Sequence, residues 1–116
     1  MIQANELRIG NWVIYCHPKG WYLYQIKAED IALCSNGERT FQPIAITSGL
    51  LEKCGFVRVG ESQEYMFNNF SLVDYSDDNN LFGWFDNGKV RMIPHLHTLQ
   101  NGYHFLTNGQ ELTINL

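Results

Sequence analysis

Positive charge is scarce in this chain. Its 116 residues include eight Lys and Arg against twelve Asp and Glu, which gives a formal net charge of −4. The basic residues are scattered along the sequence, and no two of them are adjacent. Because nucleic-acid binding depends on clustered Lys and Arg side chains that displace counterions from phosphates, we expect no nucleic-acid partner.

Long apolar runs and an even set of cysteines are also missing. No apolar run approaches the roughly 20 residues that a membrane-spanning helix needs. The opening segment "MIQANELRIGNW" has no apolar stretch of the kind found in secretion signals. The chain has three cysteines, and an odd number is typical of free thiols in a reducing compartment. We therefore expect a cytoplasmic protein that does not associate with a membrane.

The motifs that commonly bind cofactors or carry catalysis do not occur. The sequence has no G-x-x-x-x-G-K or G-x-G-x-x-G phosphate loop, no G-x-S-x-G elbow and no C-x-x-C pair. The acidic stretch "DYSDDNN" alternates like a calcium-binding loop, but Asn79 and Phe85 stand where such a loop needs Gly and Glu. The sequence therefore predicts no cofactor and no catalytic residue, and it favours a protein that is not an enzyme.

Three of the four histidines fall in one run near the end, "PHLHTLQNGYHFLTNG", at His95, His97 and His104. On a helix, His97 and His104 are two turns apart, or about 10 Å, whereas paired metal ligands favour a spacing of four residues. His95 and His97 would lie on opposite sides of a helix. These histidines are therefore only weak candidates for a metal site, and a solvent-facing helix surface is the favoured interpretation.

The composition, 45% hydrophobic and 14% aromatic, is typical of one folded domain over residues 1–116. The first third predicts a small antiparallel sheet, in the manner of an SH3-like half-barrel, with turns at "HPKG" and at Asn36-Gly37. The four strands expected there are "NWVIYC", "WYLYQIKA", "DIALC" and "ERTFQPI".

The rest of the chain predicts two short helices around a β-meander. Thr47 and Gly55 are suited to begin and end a helix over "SGLLEKC", and turn signals at "GES", "SDDNN" and "DNG" separate strand-like runs. A second helix is expected between Pro94 and the Asn108-Gly109 pair, followed by a last strand, "QELTINL". The fold class is therefore predicted as α+β. The expected core residues of the second helix are Leu96, Leu99, Tyr103 and Leu106.

Large aromatic side chains exceed what a small core usually needs. Trp and Tyr are favoured anchors in interfaces, so an exposed group of them would mark a surface for a partner or a ligand. The alternative is a two-sided sheet that buries its rings under helices. The candidate binding residues are Trp21, Tyr22, Tyr24, Trp84 and Phe105.

Three segments, "NELRIGNWV", "ITSGLLEKCGF" and "HTLQNGYHFLTNGQEL", resemble in order a family of small proteins from Bacteroidetes genomes, phages and prophages. None of these segments is a catalytic signature, so the resemblance implies an origin and a similar fold and transfers no active site. Within a phage context it implies a location in the bacterial host cytoplasm.

Three functional hypotheses follow, from three classes. The first is a non-enzymatic accessory protein that binds a partner protein through an aromatic surface. The second is a small-ligand or nucleotide-binding protein, such as a nucleotide sponge used in counter-defence. The third is a metal-dependent enzyme centred on His95, His97 and His104. Self-association into a homo-oligomer stays open under each of them.

Overall fold

The computed structural model of the protein describes residues 1–68, 70–74, 82–86 and 89–116, with the side chains of residues 85, 86, 89 and 90 set aside. A 3₁₀ turn at Ala4–Glu6 precedes the regular elements. In chain order these elements are β1 (Trp12–His17), β2 (Gly20–Gln25), α1 (Ala28–Ser35), β3 (Phe41–Gln42), α2 (Ser48–Lys53), β4 (Val57–Arg58), β5 (Glu64–Phe67), β6 (Phe70–Asp74), β7 (Phe82–Asp86), β8 (Lys89–Ile93) and α3 (Leu96–Leu106).

The chain forms two compact units, and neither is continuous in sequence. The first unit comprises Met1–Ala45 and His95–Gly102, and the second comprises Ile46–Pro94 and Tyr103–Leu116. Helix α3 therefore contributes its first turns to one unit and its last residues to the other. No helix in the described part of the chain is long and apolar enough to cross a bilayer.

The first unit contains an antiparallel sheet in the order β2-β1-β3. β1 and β2 pair over their full length, from Trp12↔Gln25 to His17↔Gly20, so that only Pro18 and Lys19 form the loop. Gly20 follows this loop with φ +138°, a conformation that L side chains rarely adopt, and the predicted "HPKG" turn is confirmed. The core of this unit is Ile2, Val13, Ile26 and Phe41.

The segment "DIALC" is a helix, so its prediction as a strand is wrong. α1 packs Ile31 and Cys34, three residues apart, against the core, which is a helical spacing. Asn36 is the C-terminal cap of α1, and Gly37 follows it with φ +76°. The predicted Asn36-Gly37 hairpin is therefore wrong as well, because an Asn-Gly pair that tolerates positive φ can end a helix as readily as it turns a hairpin.

A buried ionic group holds α1 at its start. The Asp30 carboxylate is fully buried and accepts hydrogen bonds from the Lys27 backbone N–H (2.7 Å), the Tyr24 hydroxyl (2.8 Å) and the Arg39 guanidinium. Burial alone would raise the pKa of Asp30, but these hydrogen bonds and the positive charge of Arg39 bring the pKa below its ordinary value. The carboxylate is therefore charged at neutral pH and compensated from three sides.

The second unit is an antiparallel meander in the order β4-β5-β6-β7-β8, as the spacing of turn signals predicts. Leu72, Phe82 and Ile93 lie on one face of this sheet and are fully buried. The predicted helix α2 is confirmed with its caps. Thr47 Oγ1 accepts a hydrogen bond from the Leu50 N–H at 3.1 Å, and Gly55 leaves the helix at φ +91°.

The predicted C-terminal helix is confirmed as α3, and it ends in left-handed residues at Asn108 (φ 56°) and Gly109 (φ 98°). Leu96, Leu99 and Tyr103 are buried as expected, whereas Leu106 is 45% exposed and does not belong to the core. The strand predicted for "QELTINL" is wrong. Residues 110–116 have no regular structure, and only Leu112 among them is buried.

The predicted α+β class is confirmed, with two antiparallel sheets and three α-helices in the described residues rather than the two helices expected. The SH3-like curvature and the single-domain prediction stay predictions. The turns expected within residues 75–80 and at 87–88, together with the calcium-like stretch, lie outside the described residues.

We expect the Asp30→Ala substitution to lower the free energy of unfolding by about 2–4 kcal/mol, because it removes a buried charge and leaves three donors without their acceptor. Urea denaturation followed by circular dichroism measures the change. Glu38→Ala, which removes an exposed carboxylate from the same unit, is the control and should stay within about 0.5 kcal/mol of the wild type. Equal losses in the two variants would show that Asp30 does not hold α1.

Candidate functional site

The predicted aromatic binding residues divide between the two units. Trp21, Tyr22 and Tyr24 lie on β2 in the first unit, and Trp84 and Phe105 lie in the second. Their exposure also differs, from 66% for Trp21 and 81% for Phe105 to the half-buried rings of Tyr24 and Trp84. The structure therefore groups three of the five along one strand.

One face of the β1–β2 hairpin packs its rings into the first unit. Tyr22 and Tyr24 both face Tyr15, with ring centroids 5.4 and 5.2 Å from it, and Tyr24 stacks on Phe41 at 6.0 Å. Arg39 lies over the ring of Tyr15, at 5.6 Å. Tyr24 thus makes its contacts within the fold, through both its ring and its hydroxyl.

The opposite face of the hairpin is apolar and open to solvent. The register places Cys16 opposite Trp21 and Ile14 opposite Leu23, so these four side chains lie on the same face. Trp21 and Leu23 are 66% and 52% exposed, and Ile14 and Cys16 are half-buried. We call Ile14, Cys16, Trp21 and Leu23 the hairpin surface. It contains no charged side chain.

The backbone of β2 is open along its outer edge, where no strand of the described residues pairs with it. The Cys16 N–H donates to the Thr40 carbonyl at 3.0 Å, away from β2, so the Cys16↔Trp21 pair is not hydrogen-bonded. It follows that the N–H and C=O groups of Trp21 point outwards, and those of Leu23 and Gln25 do the same at every second position.

The histidine predicted to face solvent is buried instead. The side chain of His97 is 1% exposed, and its Nε2 lies 3.3 Å from Glu6 Oε1. The His95 ring stacks on the His97 ring, with their centroids 5.8 Å apart. The two rings can meet because His95 precedes α3, which begins at Leu96; on a helix they would lie on opposite sides. Nδ1 of His97 has no hydrogen-bond partner among the described residues.

These groups do not assemble into a metal centre. His104 approaches Glu111 at 3.9 Å, and His97 lies 3.3 Å from Glu6, whose pKa the charge of His95 also helps to lower. Within the described ranges, no group of three or more His, Cys, Asp or Glu side chains is placed to hold a metal ion. The structure therefore adds no support to the hypothesis of a metal-dependent enzyme.

A buried amide network was not anticipated from the sequence. Gln100 accepts from the Trp12 N–H (2.7 Å) and donates to the Gly10 carbonyl (3.0 Å), while Asn101 accepts from Asn11 Nδ2 (2.8 Å). Gln100 and Asn11 are buried. A helical wheel places these amides on a polar face, and only the long-range contacts reveal that this face is turned towards the N-terminal segment.

The second unit contains a cleft of about 900 Å³. Trp84 is among its lining residues, and the indole Nε1 of Trp84 is buried without a hydrogen-bond acceptor in the described part of the chain. The described lining residues are Glu64, Asn68, Phe70, Ser71, Val73, Trp84, Tyr103, Leu106, Thr107, Asn108 and Gln110.

Two of the three thiols, those of Cys34 and Cys54, are poor nucleophiles in this fold. Cys54, the residue that caps the C-terminus of α2, is buried, and burial raises its pKa to about 11. Burial likewise raises the pKa of Cys34, with a smaller contribution from the charge of Glu6. Both thiols therefore stay protonated at neutral pH.

Comparison with known proteins gives no guide to these features, since no family model, curated protein or solved structure matches the chain. The resemblance to the phage and Bacteroidetes family and the binding role of the aromatic residues therefore stay predictions. The hairpin surface and the cleft are assessed on their geometry alone.

The buried His97 predicts a pH-dependent stability. Burial lowers the pKa of His97, and the nearby Glu6 opposes this only in part. Because the folded pKa is depressed, the unfolded chain takes up the proton first. Stability is therefore lost as the pH falls below the unfolded value of about 6.5, by at most about 1.4 kcal/mol per pH unit.

Replacing His97 with Gln should remove this dependence, so that the gap in unfolding free energy between the wild type and the variant narrows by about 1 kcal/mol from pH 7 to pH 5. Urea denaturation at four pH values in this range measures it. His104→Gln removes a histidine whose ring reaches solvent and is the control. A constant gap for His97→Gln across the range would contradict the assignment.

Proposed function

We propose that the protein is a non-enzymatic binding module that takes up an extended segment of a partner protein along the outer edge of β2. The observation that carries the proposal is the combination, on one strand, of an open backbone edge and the exposed side chains of Trp21 and Leu23. A role as a phage or prophage accessory protein in a bacterial cytoplasm, which the resemblance implies, belongs to the same proposal.

The edge of β2 lacks the features that usually protect edge strands. Proteins discourage edge-to-edge pairing with Lys, Pro, bulges or very short strands. β2, "GWYLYQ", contains no charged residue and no Pro, and its six residues pair with β1 without a bulge. A strand of this length and regularity offers the hydrogen-bonding groups of Trp21, Leu23 and Gln25 to an added strand.

The hairpin surface indicates what the added segment should contain. In strand addition, backbone hydrogen bonds supply affinity and alternate side chains supply specificity. The added strand would present every second side chain to the face that carries Trp21 and Leu23, which is apolar and uncharged. We therefore expect a partner segment that alternates apolar residues with others and carries no charge on its apolar face.

A displayed library of random eight-residue peptides tests the proposal on the purified full-length chain. Selection should enrich peptides that alternate apolar residues, and Leu23→Pro should weaken their binding by about tenfold or more. The Leu23 N–H points outwards, so a proline there blocks the edge without removing a β1–β2 hydrogen bond. Leu23→Lys is a second variant, which keeps the N–H and places a charge on the apolar surface.

Phe105→Ala is the control, because it removes an exposed aromatic ring from the other unit. Its binding should equal that of the wild type. Peptides without an alternating pattern, or peptides that bind the Leu23 variants as tightly as the wild type, would overturn the proposal. A wild-type dimer in light scattering that Leu23→Pro converts to a monomer would show instead that the edge pairs with a second copy.

A further inference from the structure

We propose that the cleft of the second unit binds a small ligand with a flat apolar body that is uncharged or cationic, a property independent of the partner-binding function proposed for β2. The cleft lies within one unit, and its volume of about 900 Å³ is of the size that accommodates small organic molecules.

The cleft occurs where two neighbouring strands stop pairing. β5 and β6 pair at four positions, whereas the described residues of β6 and β7 pair only at Val73↔Gly83 and Asp74↔Phe82. Continued in the same register, Leu72 would face Trp84 and Ser71 would face Phe85, but the ladder ends before these pairs. Ser71 and Trp84 therefore border an opening in the sheet rather than a closed ladder.

The walls of the cleft suit an apolar, ring-shaped body. Phe70 contacts Trp84 and Tyr103 edge to face, with ring centroids 5.7 and 5.5 Å apart. Leu106 also lines the cleft, which accounts for the exposure of an apolar side chain predicted to lie in the core. Aromatic rings held by such contacts present their edges and faces to a flat ligand. Because they are already ordered, they lose little further side-chain entropy when the ligand binds.

Polar groups of three lining residues, Trp84, Ser71 and Gln110, define the hydrogen-bonding character of the ligand. The Trp84 indole N–H is a donor without an acceptor among the described residues, and a buried donor left in this way is destabilising. A ligand carbonyl or ring nitrogen that reaches it through a small tilt of the indole would remove that penalty. Ser71 and Gln110, on the rim, offer further donors and acceptors.

The charge of the described lining residues disfavours anionic ligands. Glu64 is the charged residue among the described lining residues, and no Lys, Arg or His is among them. Arg91, which pairs with Trp84 across β7 and β8, does not line the cleft. Among the described lining residues, a nucleotide's phosphates would meet a carboxylate and no cation. The nucleotide version of the small-ligand hypothesis is therefore disfavoured, and a neutral or cationic molecule is favoured.

Three probes that share one ring system test this chemistry. Indole-3-acetamide is neutral with a carbonyl acceptor, tryptamine is a cation, and indole-3-acetate is an anion. In ¹H–¹⁵N spectra the chain gives three indole N–H peaks, from Trp12, Trp21 and Trp84, and Trp84→Phe identifies the third.

The Trp84 peak should shift on titration with the first two probes. Tryptamine should bind about fivefold more tightly than indole-3-acetate, a difference that Glu64→Gln removes.

Leu106→Arg, which places a large side chain in the cleft, should abolish the Trp84 shift. Phe105→Arg is the matched control, because Phe105 is the adjacent residue, is exposed, and does not line the cleft. The proposal is overturned if no probe moves the Trp84 peak, if indole-3-acetate binds as well as tryptamine, or if Leu106→Arg leaves the shift intact. Movement of the Trp21 peak alone would place the ligand on β2 and would also overturn it. Leu23→Pro leaves the cleft untouched, so the two proposals fail separately.

Discussion

The first unit depends on hydrogen bonds that amide side chains of α3 form with residues 88–90 positions earlier in the chain. The Gln100 side chain of α3 forms hydrogen bonds with the backbone of Gly10 and Trp12, and the Asn101 side chain forms one with the Asn11 side chain. Asn11 and Gln100 are buried, and leaving either amide unpaired would cost about 1–3 kcal/mol, so these hydrogen bonds fix the register between the two segments. The segments "NELRIGNWV" and "HTLQNGYHFLTNGQEL" supply the partners in this network, so residues from both ends of the chain build the first unit.

Local chemistry made much of the fold predictable. The β1–β2 hairpin, the caps of α2 at Thr47 and Gly55, and the left-handed end of α3 each depend on residues close in sequence, whose backbone preferences act over a few positions. The meander of the second unit was predictable for the same reason, because its strands are separated by residues that favour turns.

The wrong predictions concern features that depend on contacts between residues far apart in the fold. "DIALC" is a short apolar run that is compatible with a strand or a helix. The buried Asp30 and its partner Arg39 stabilise the helix. His97 was assigned to solvent because a helical wheel sorts residues by polarity, whereas Glu6 and the N-terminal segment cover it. The hairpin surface was half predictable: Trp21, its aromatic residue, is one of the candidate binding residues, but the open edge of β2 follows only from the strand order.

The division of the chain into interleaved units has a consequence for biosynthesis. Met1–Ala45 leaves the ribosome without His95–Gly102, the segment that supplies Gln100 and Asn101. The whole of Ile46–Pro94 must be translated in between, which takes several seconds at roughly 5–20 residues per second. During that interval Asn11 and the backbone of Trp12 have no native partner from α3, while the β2 edge is already exposed. The nascent chain therefore passes through a stage in which cotranslational pairing with other strands competes with completion of its own first unit.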